Sequence, residues 1–230
     1  MLAGVIRAAD ESDFDVGFEV IRRVWPRAVG SVAGWRHEFR AEPEEAQRRY
    51  WAAEEDGRVV GWATAFVDYE SAGRDPARVG PGVAPDGIEL LPLTGLDPQL
   101  VFALDAEASV DIPNEDNDDL RFEQWHADYW AHPDVDLESS AAAVAGGRPV
   151  SYSLLHAGGD RGMSGMTGTR RSHRGRGLAE LVKRATLANA AARGIRLAYT
   201  HNDETNAAML RVNAKLGYRP VGSLLGWTRG

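Results

Sequence analysis

Arg174-Gly175-Arg176-Gly177-Leu178-Ala179 decides how this chain is read. Before it, Gly162 to Thr169 has the composition of a β-strand; after it, Leu178 to Arg193 has the periodicity of a helix. A glycine-rich turn from strand to helix is a natural anion cradle. Without side chains at 175 and 177 the backbone N–H groups approach a phosphate closely, and the helix N-terminus adds unpaired donors and a partial positive charge. Arg174 and Arg176 add cationic contacts. The competing reading is a basic surface turn, because short glycine motifs recur by chance.

The downstream sequence favours the cradle. Leu178, Leu181, Val182, Ala185 and Ala192 form one apolar stripe at helical spacing, and Arg193-Gly194 supplies a last-turn cation and a stop. Ile195 to Thr200 reads as a short buried strand. Asn202 and Asp203 are the expected N-cap of a second helix, running to about Leu216 and stopped by Gly217, and Tyr218 begins another strand.

Thr167 to Val221 resembles the GNAT N-acetyltransferase superfamily. That family's acyl-CoA signature is Arg/Gln-x-x-Gly-x-Gly/Ala, matched by Arg174, Gly177 and Ala179. Its later motif is an Asn on the following helix and a Leu-Gly-aromatic exit, matched by Asn206 and Leu216-Gly217-Tyr218. The resemblance covers Asp86 to Gly230 well and the first seventy residues only by topology. It implies an α/β protein with an α+β mixed sheet of the GNAT acyl-CoA N-acyltransferase type.

The first seventy residues add an internal repeat. Trp35 to Pro43 recurs as Trp125 to Pro133, and Asp56-Gly57-Arg58-Val59-Val60-Gly61 as Gly146-Gly147-Arg148-Pro149-Val150-Ser151, both at an offset of 90 residues. Val5-Ile6-Arg7 parallels Gly87-Ile88-Glu89-Leu90 at a slightly smaller offset. Each copy reads strand, helix, helix, hairpin, the front half of the GNAT fold. The expected organisation is a partial GNAT-like unit at 1–70 without a phosphate turn, a linker at 71–86 rich in Gly, Pro and Arg, and a catalytic GNAT domain at 87–230. Tyr218 to about Trp227 would be that domain's sixth strand, and no sequence remains for a seventh. Arg58 to Val67 is the expected filler of the gap, either within one chain or between two as an exchanged-element homodimer, the second slightly preferred.

Composition bounds the chemistry. The chain has no cysteine, which excludes disulfides, thiolate metal sites and a cysteine nucleophile. Its six histidines show no ligand spacing, so no metal is expected. No apolar run reaches the roughly 18 residues of a membrane span, and acidic residues stand by position 10, so a cytoplasmic protein without membrane attachment is expected. A net charge of −8 disfavours nucleic acid as a partner. The basic run Arg170, Arg171, His173, Arg174 and Arg176 suits a pyrophosphate and a 3′-phosphate better than a duplex. Among 26 basic residues only Lys183 and Lys215 are lysines; abundant Arg, Ala and Gly correlate with a GC-rich bacterial genome.

The resemblance implies acetyl-CoA, or another short acyl-CoA, as co-substrate and a small-molecule primary amine as acceptor, reacting directly in a ternary complex. It places the cofactor on Met166, Thr167 and Gly168 of the strand, on Arg174, Gly175, Arg176, Gly177, Leu178 and Ala179 of the turn, and on Asn202, Asn206 and Asn213 beyond. A backbone N–H near Met166 to Gly168 is the expected donor to the developing oxyanion. For the base, Asp111 is the first choice and Glu107 the second, with His126 and His156 behind them. Many family members carry a tyrosine acid seven residues after the helix Asn; here that position is Asn213, which donates a hydrogen bond but yields no proton. The acidic run Glu115 to Asp119 is an expected rim for a cationic amine or a solvated loop. The rival reading, a CoA-binding pseudo-enzyme or regulatory module, draws on Asn213 and the half-unit.

Overall fold

A computed structural model of the chain describes residues 5–24, 29–41, 49–65, 71–74, 76–112, 121–202 and 205–219. Strand β1 (Val5–Ala8), helices α1 (Phe14–Val24) and α2 (Val32–Ala41), and strands β2 (Arg49–Glu55) and β3 (Arg58–Ala65) make the amino-terminal half. β4 (Ser71–Arg74) and a short turn, Pro76–Arg78, lead to β5 (Glu89–Pro92), α3 (Pro98–Ser109), α4 (Phe122–Trp125), β6 (Ala141–Ala145), β7 (Arg148–Gly158), β8 (Arg161–Thr169), α5 (Leu178–Ala192), β9 (Leu197–Thr200) and α6 (Ala207–Leu216). The order β1-β2-β3 forms one sheet and β4-β9-β8-β7-β6-β5 the other. Among the described strands of the second sheet, β8 and β9 pair in parallel and the other neighbours antiparallel.

The repeat is visible in the backbone. Both hairpins turn through two residues at positive φ, Asp56 (51°) and Gly57 (73°) in one and Gly146 (55°) and Gly147 (76°) in the other, the geometry that matches the twist of the flanking strands. Both first strands carry an irregularity at the same place, between Ala53 and Glu54 and between Ala143 and Val144. The outer strands also agree: Val5 pairs Glu54 as Glu89 pairs Val144. Val5 therefore corresponds to Glu89, a residue or two beyond the sequence alignment.

Among the described residues the halves meet through specific contacts. Asp134 is 7% exposed; its carboxylate accepts from the Ser31 backbone N–H at 2.9 Å and from the Ser31 hydroxyl. His37 Nε2 lies 2.8 Å from the Ala127 carbonyl, and the His37 and His132 rings meet edge to face at 4.9 Å. Backbone runs against backbone where Gly158 faces Gly30: a Cβ on Gly158 would lie 2.4 Å from the Gly30 carbonyl oxygen. All of this sits at the end of β7 remote from Thr169, its partner across the ladder being Arg161 at the start of β8.

Two expectations about the open sheet change. Arg58–Ala65 does not complete the second sheet; the two-residue turn at 56–57 commits it to β2. Beside β9 lies β4 instead, antiparallel, with Ser71 opposite Thr200 and Arg74 opposite Ala198. The position is filled from the same chain, by residues expected to be linker. Of the expected last strand, Tyr218 to about Trp227, Tyr218 and Arg219 are not in a strand; its remainder, the residues 66–67 and the acidic run 115–119 lie outside the described residues.

Helices cover both faces of the second sheet. Leu93, Val101, Leu104, Trp125, Ala142, Tyr152 and Leu154 form the core under α3 and α4; Ile88, Ala143, Val150, Leu178, Leu181 and Val182 form the one under α5. Among the described residues no helix is long and apolar enough to cross a membrane.

Candidate functional site

The site grows from a parting of strands. β8 and β9 pair in parallel from Arg161↔Leu197 to Ser164↔Thr200. The Thr200 hydroxyl ties this last pair together by donating to the Ser164 carbonyl at 3.4 Å. β9 ends there, while β8 continues to Thr169. Gly165 to Thr169 therefore have β7 on one edge and no strand on the other among the described residues. Opposite Leu154 of β7, β8 carries both Gly165 and Met166, since Ser153 pairs Thr167 and Leu155 pairs Ser164. The extra residue is a bulge, which locally disrupts the ladder and re-aims backbone groups at the parting. Among the described residues β8 thus has an unpaired edge there, and Met166 and Thr167 lie beside its irregularity. Gly168 serves packing too: a Cβ there would be 2.9 Å from Ala108 of α3.

A glycine turn follows β8. Gly175 and Gly177 have φ of 74° and 75°, values that favour glycine, and nothing lies within 4 Å of where their Cβ atoms would be. Gly177 is the N-cap of α5 and no side chain caps that helix. Its first-turn N–H groups thus keep the donor capacity that a diphosphate takes up. Leu178 is buried and anchors the helix, Ala179 is half-buried, and Arg174 and Arg176 are exposed. On α5 the buried stripe is broader than its apolar residues suggest. It includes Lys183 (1% exposed) and Thr186, whereas Ala192 is exposed.

Both expected bases face this turn and are engaged by it. Asp111 holds Arg171 at 2.9 Å and Arg174 at 2.6 Å. Hydrogen bonds from these two guanidinium groups lower its pKa to about 2. Glu107 accepts from the Arg171 backbone N–H at 2.8 Å and from Arg170 at 2.7 Å, and the backbone bond first, then Arg170, lowers its pKa. Arg170 also donates to the Pro149 carbonyl at 3.0 Å. The end of α3 is therefore laced to the turn. A strongly ion-paired carboxylate is a weak proton acceptor, so this geometry suits positioning of the turn better than abstraction of a proton. His126 is in the wide helical turn after α4, half-buried against Phe122, and His156 packs on His132 at 5.5 Å, on the side of the contact with the amino-terminal half.

The asparagines separate. Asn206, rather than Asn202 or Asp203, is the N-cap of α6, accepting from the Met209 N–H at 3.1 Å. Asp203 lies outside the described residues. Asn213 is 4% exposed, and both its side-chain polar atoms are buried without a hydrogen-bond partner among the described residues, as is Asn202 Nδ2. Buried polar groups are nearly always satisfied. These orphans, the free edge of β8 and the uncapped glycine turn fit an extended ligand carrying amides at one end and phosphates at the other.

Two buried groups escaped sequence reading. Asp105 on α3, 4% exposed, accepts from the Trp125 indole N–H and the Ser109 hydroxyl, and together with burial it raises the Tyr152 phenol well above its ordinary value. It is a satisfied core carboxylate. Lys183 donates to Ser164 Oγ at 2.8 Å. Its position on a helical stripe is the only sequence signal of its burial. Among the described residues no cluster of three or more His, Asp or Glu is arranged to hold a metal ion.

No family model matches the chain, and no curated protein matches it. Solved structures do. A tandem GNAT protein from the clavulanic acid biosynthesis pathway superposes with a TM-score of 0.64 at 18% identity, covering 97% of each chain. A GCN5-related N-acetyltransferase from Sphaerobacter thermophilus gives 0.64 at 16% identity, over 96% of this chain and 93% of that one. The glucosamine N-acetyltransferase region of a fungal multi-domain β-N-acetylglucosaminidase gives 0.58 at 10% identity, over 96% of this chain and 37% of that one. At such identities the likeness establishes architecture, and function is argued from the site.

Proposed function

We propose that this chain, which has the GNAT superfamily fold, transfers an acetyl or other short acyl group from acyl-CoA to a primary amine of a small molecule. The observation that carries this reading is the course of β8. It leaves β9 at Ser164, bulges at Gly165-Met166 and runs straight into an uncapped glycine turn. One path thus offers free backbone donors for a pantetheine chain and a thioester carbonyl, then a diphosphate cradle. Acyl-CoA would supply the activated acyl group. The chain's own part is to bind, orient and polarise.

In this reading Gly175, Gly177, Leu178 and Ala179 hold the diphosphate through backbone N–H groups. Met166 to Gly168 offer the amide that stabilises the developing oxyanion. Asn202 and Asn213 satisfy the pantetheine amides with atoms that have no hydrogen-bond partner among the described residues. Asp111 and Glu107 keep the arginines of the turn in place, and the proton of the attacking amine passes to water. The amino-terminal half-unit holds no CoA; strand β4, from the segment that follows it, lies beside β9.

Calorimetry with acetyl-CoA, joined to thiol release across a panel of primary amines, tests the reading. Binding with turnover supports it. Binding without turnover on any amine replaces it with a CoA-binding module. No binding ends it.

A further inference from the structure

Lys183 stands in the middle of α5, in a chain that has only one other lysine among 26 basic residues. Arginine, which supplies the other basic residues apart from Lys215, cannot give up its proton in a protein; lysine can. The Lys183 ammonium bonds Ser164 and lies 5.8 Å from the centre of the Tyr218 ring. Ser164 is the last residue of β8 paired with β9. Lys183 therefore reaches the vertex where the strands part, on the face covered by α5. We propose that Lys183 gives its proton to the sulfur that departs during acyl transfer, a task Asn213 has no proton for. The proposal rests on the acyl-transfer reading above.

The step balances. As the amine nitrogen bonds the acyl carbon, the C–S bond breaks and its electron pair stays on sulfur. An Nζ–H bond breaks, an S–H bond forms, and Lys183 is left neutral. The proton shed by the amine enters water, and water returns one to Lys183. The products are an amide and a free thiol.

The surroundings favour that direction. Burial alone lowers the Lys183 pKa from 10.5 to about 7, whereas a thiol sits near ~8.5, so transfer to the thiolate runs downhill. A solvated lysine would hold its proton more tightly than the thiol. Around it, β8 presents Ser164, β9 presents Thr200, and Tyr218 follows α6. On α5 itself Glu180 is occupied by Arg184 and Lys215, and the turn Pro76–Arg78 ends in an exposed arginine. No charged neighbour contributes to the shift.

With two lysines, ¹³C-lysine labelling of the full chain gives two side-chain signals, and exposed Lys215 is an internal control. One signal should titrate near pH 7, vanish in Lys183→Met, and change its titration with CoA but not with desulfo-CoA. A Lys183 signal that titrates like Lys215, or that responds equally to the two ligands, overturns the proposal. In thiol release with acetyl-CoA and a primary-amine panel, Lys183→Met and Lys183→Arg should both lower kcat by about a hundredfold, the low end for general acid catalysis, with the KM for acetyl-CoA little changed. Equal kcat in wild type and Lys183→Met overturns the role of the lysine alone. Absence of thiol release by the wild type with every amine overturns the acyl-transfer reading as well.

Discussion

Replacing Lys183 by methionine should make the protein more stable, and the gain should depend on pH in a specified way. The side chain is fully buried and burial lowers its pKa from 10.5 to about 7. Each unit of that gap corresponds to about 1.4 kcal/mol, so keeping the group in the folded interior costs on the order of 5 kcal/mol at neutral pH. Methionine fills a similar volume without a charge. It leaves Ser164 Oγ without its donor, a loss of about 1–2 kcal/mol, so a net gain of about 3 kcal/mol is expected at pH 7. Between pH 7 and 10 the unfolded wild type carries the lysine proton and the folded form does not. The unfolded state binds more protons, so wild-type stability rises with pH, by up to about 1.4 kcal/mol per unit. Below pH 7 both states are protonated, the slope vanishes and the full cost remains. The advantage of Lys183→Met is therefore largest at pH 7 and below and closes towards pH 10. The chain has no cysteine, Lys215, the other lysine, is exposed, and the tyrosines are common to both proteins and cancel in the comparison. Urea denaturation at pH 6, 7, 8 and 9 measures it. Parallel curves for the two proteins, or a variant less stable at pH 7, would refute the claim that Lys183 is buried without a countercharge.

Gly177→Val should fold, since nothing lies within 4 Å of the new side chain's first carbon, yet lose at least about tenfold in acetyl-CoA affinity by calorimetry, because a β-branched residue resists φ near 75° and crowds the phosphate. Asp111→Ala frees Arg171 and Arg174; it should leave thermal stability nearly unchanged, as exposed ion pairs contribute little, and keep kcat within about threefold, whereas a general base would cost about a hundredfold or more. Gly158→Ala drives a methyl group into the Gly30 backbone, and at a cost of about 1–3 kcal/mol for overpacking should raise amide exchange in α2 while α5 stays protected.

The elements carrying the site were legible because their signals are local. Gly175 and Gly177 mark a turn that requires positive φ, Gly217 marks the end of α6, and the apolar spacing of α5 fixes its buried face. The repeat was legible because two-residue hairpin turns dictate their own residues. What stayed hidden depends on distance along the chain. That Asp111 answers to Arg171 and Arg174 is decided by how α3 packs beside β8, across 60 residues for the nearer partner. Lys183 reads as a surface residue until α6 and Tyr218 are laid over it. The N-cap of α6 was displaced from Asn202 to Asn206 because several asparagines and acids compete for the role locally, and only the start of the helix decides. β4 carries almost no signal, since Ser-Ala-Gly-Arg has neither alternation nor bulk; its conformation is imposed by the edge of β9.

That last strand has a consequence for the order in which the protein is made. Ser71 emerges from the ribosome long before Thr200, its partner across the ladder. At about 5–20 residues per second, β4 waits on the order of ten seconds for an edge to pair with, while β5 to β8 assemble without it. That edge of the sheet is covered only once Thr200 has been made, a non-local pairing of the kind that slows folding. Until then β9's open edge is the adhesive part of the nascent molecule. Docking of β4 onto β9 thus joins early chain to late chain, and until it happens a second molecule's β4 can compete for the same edge.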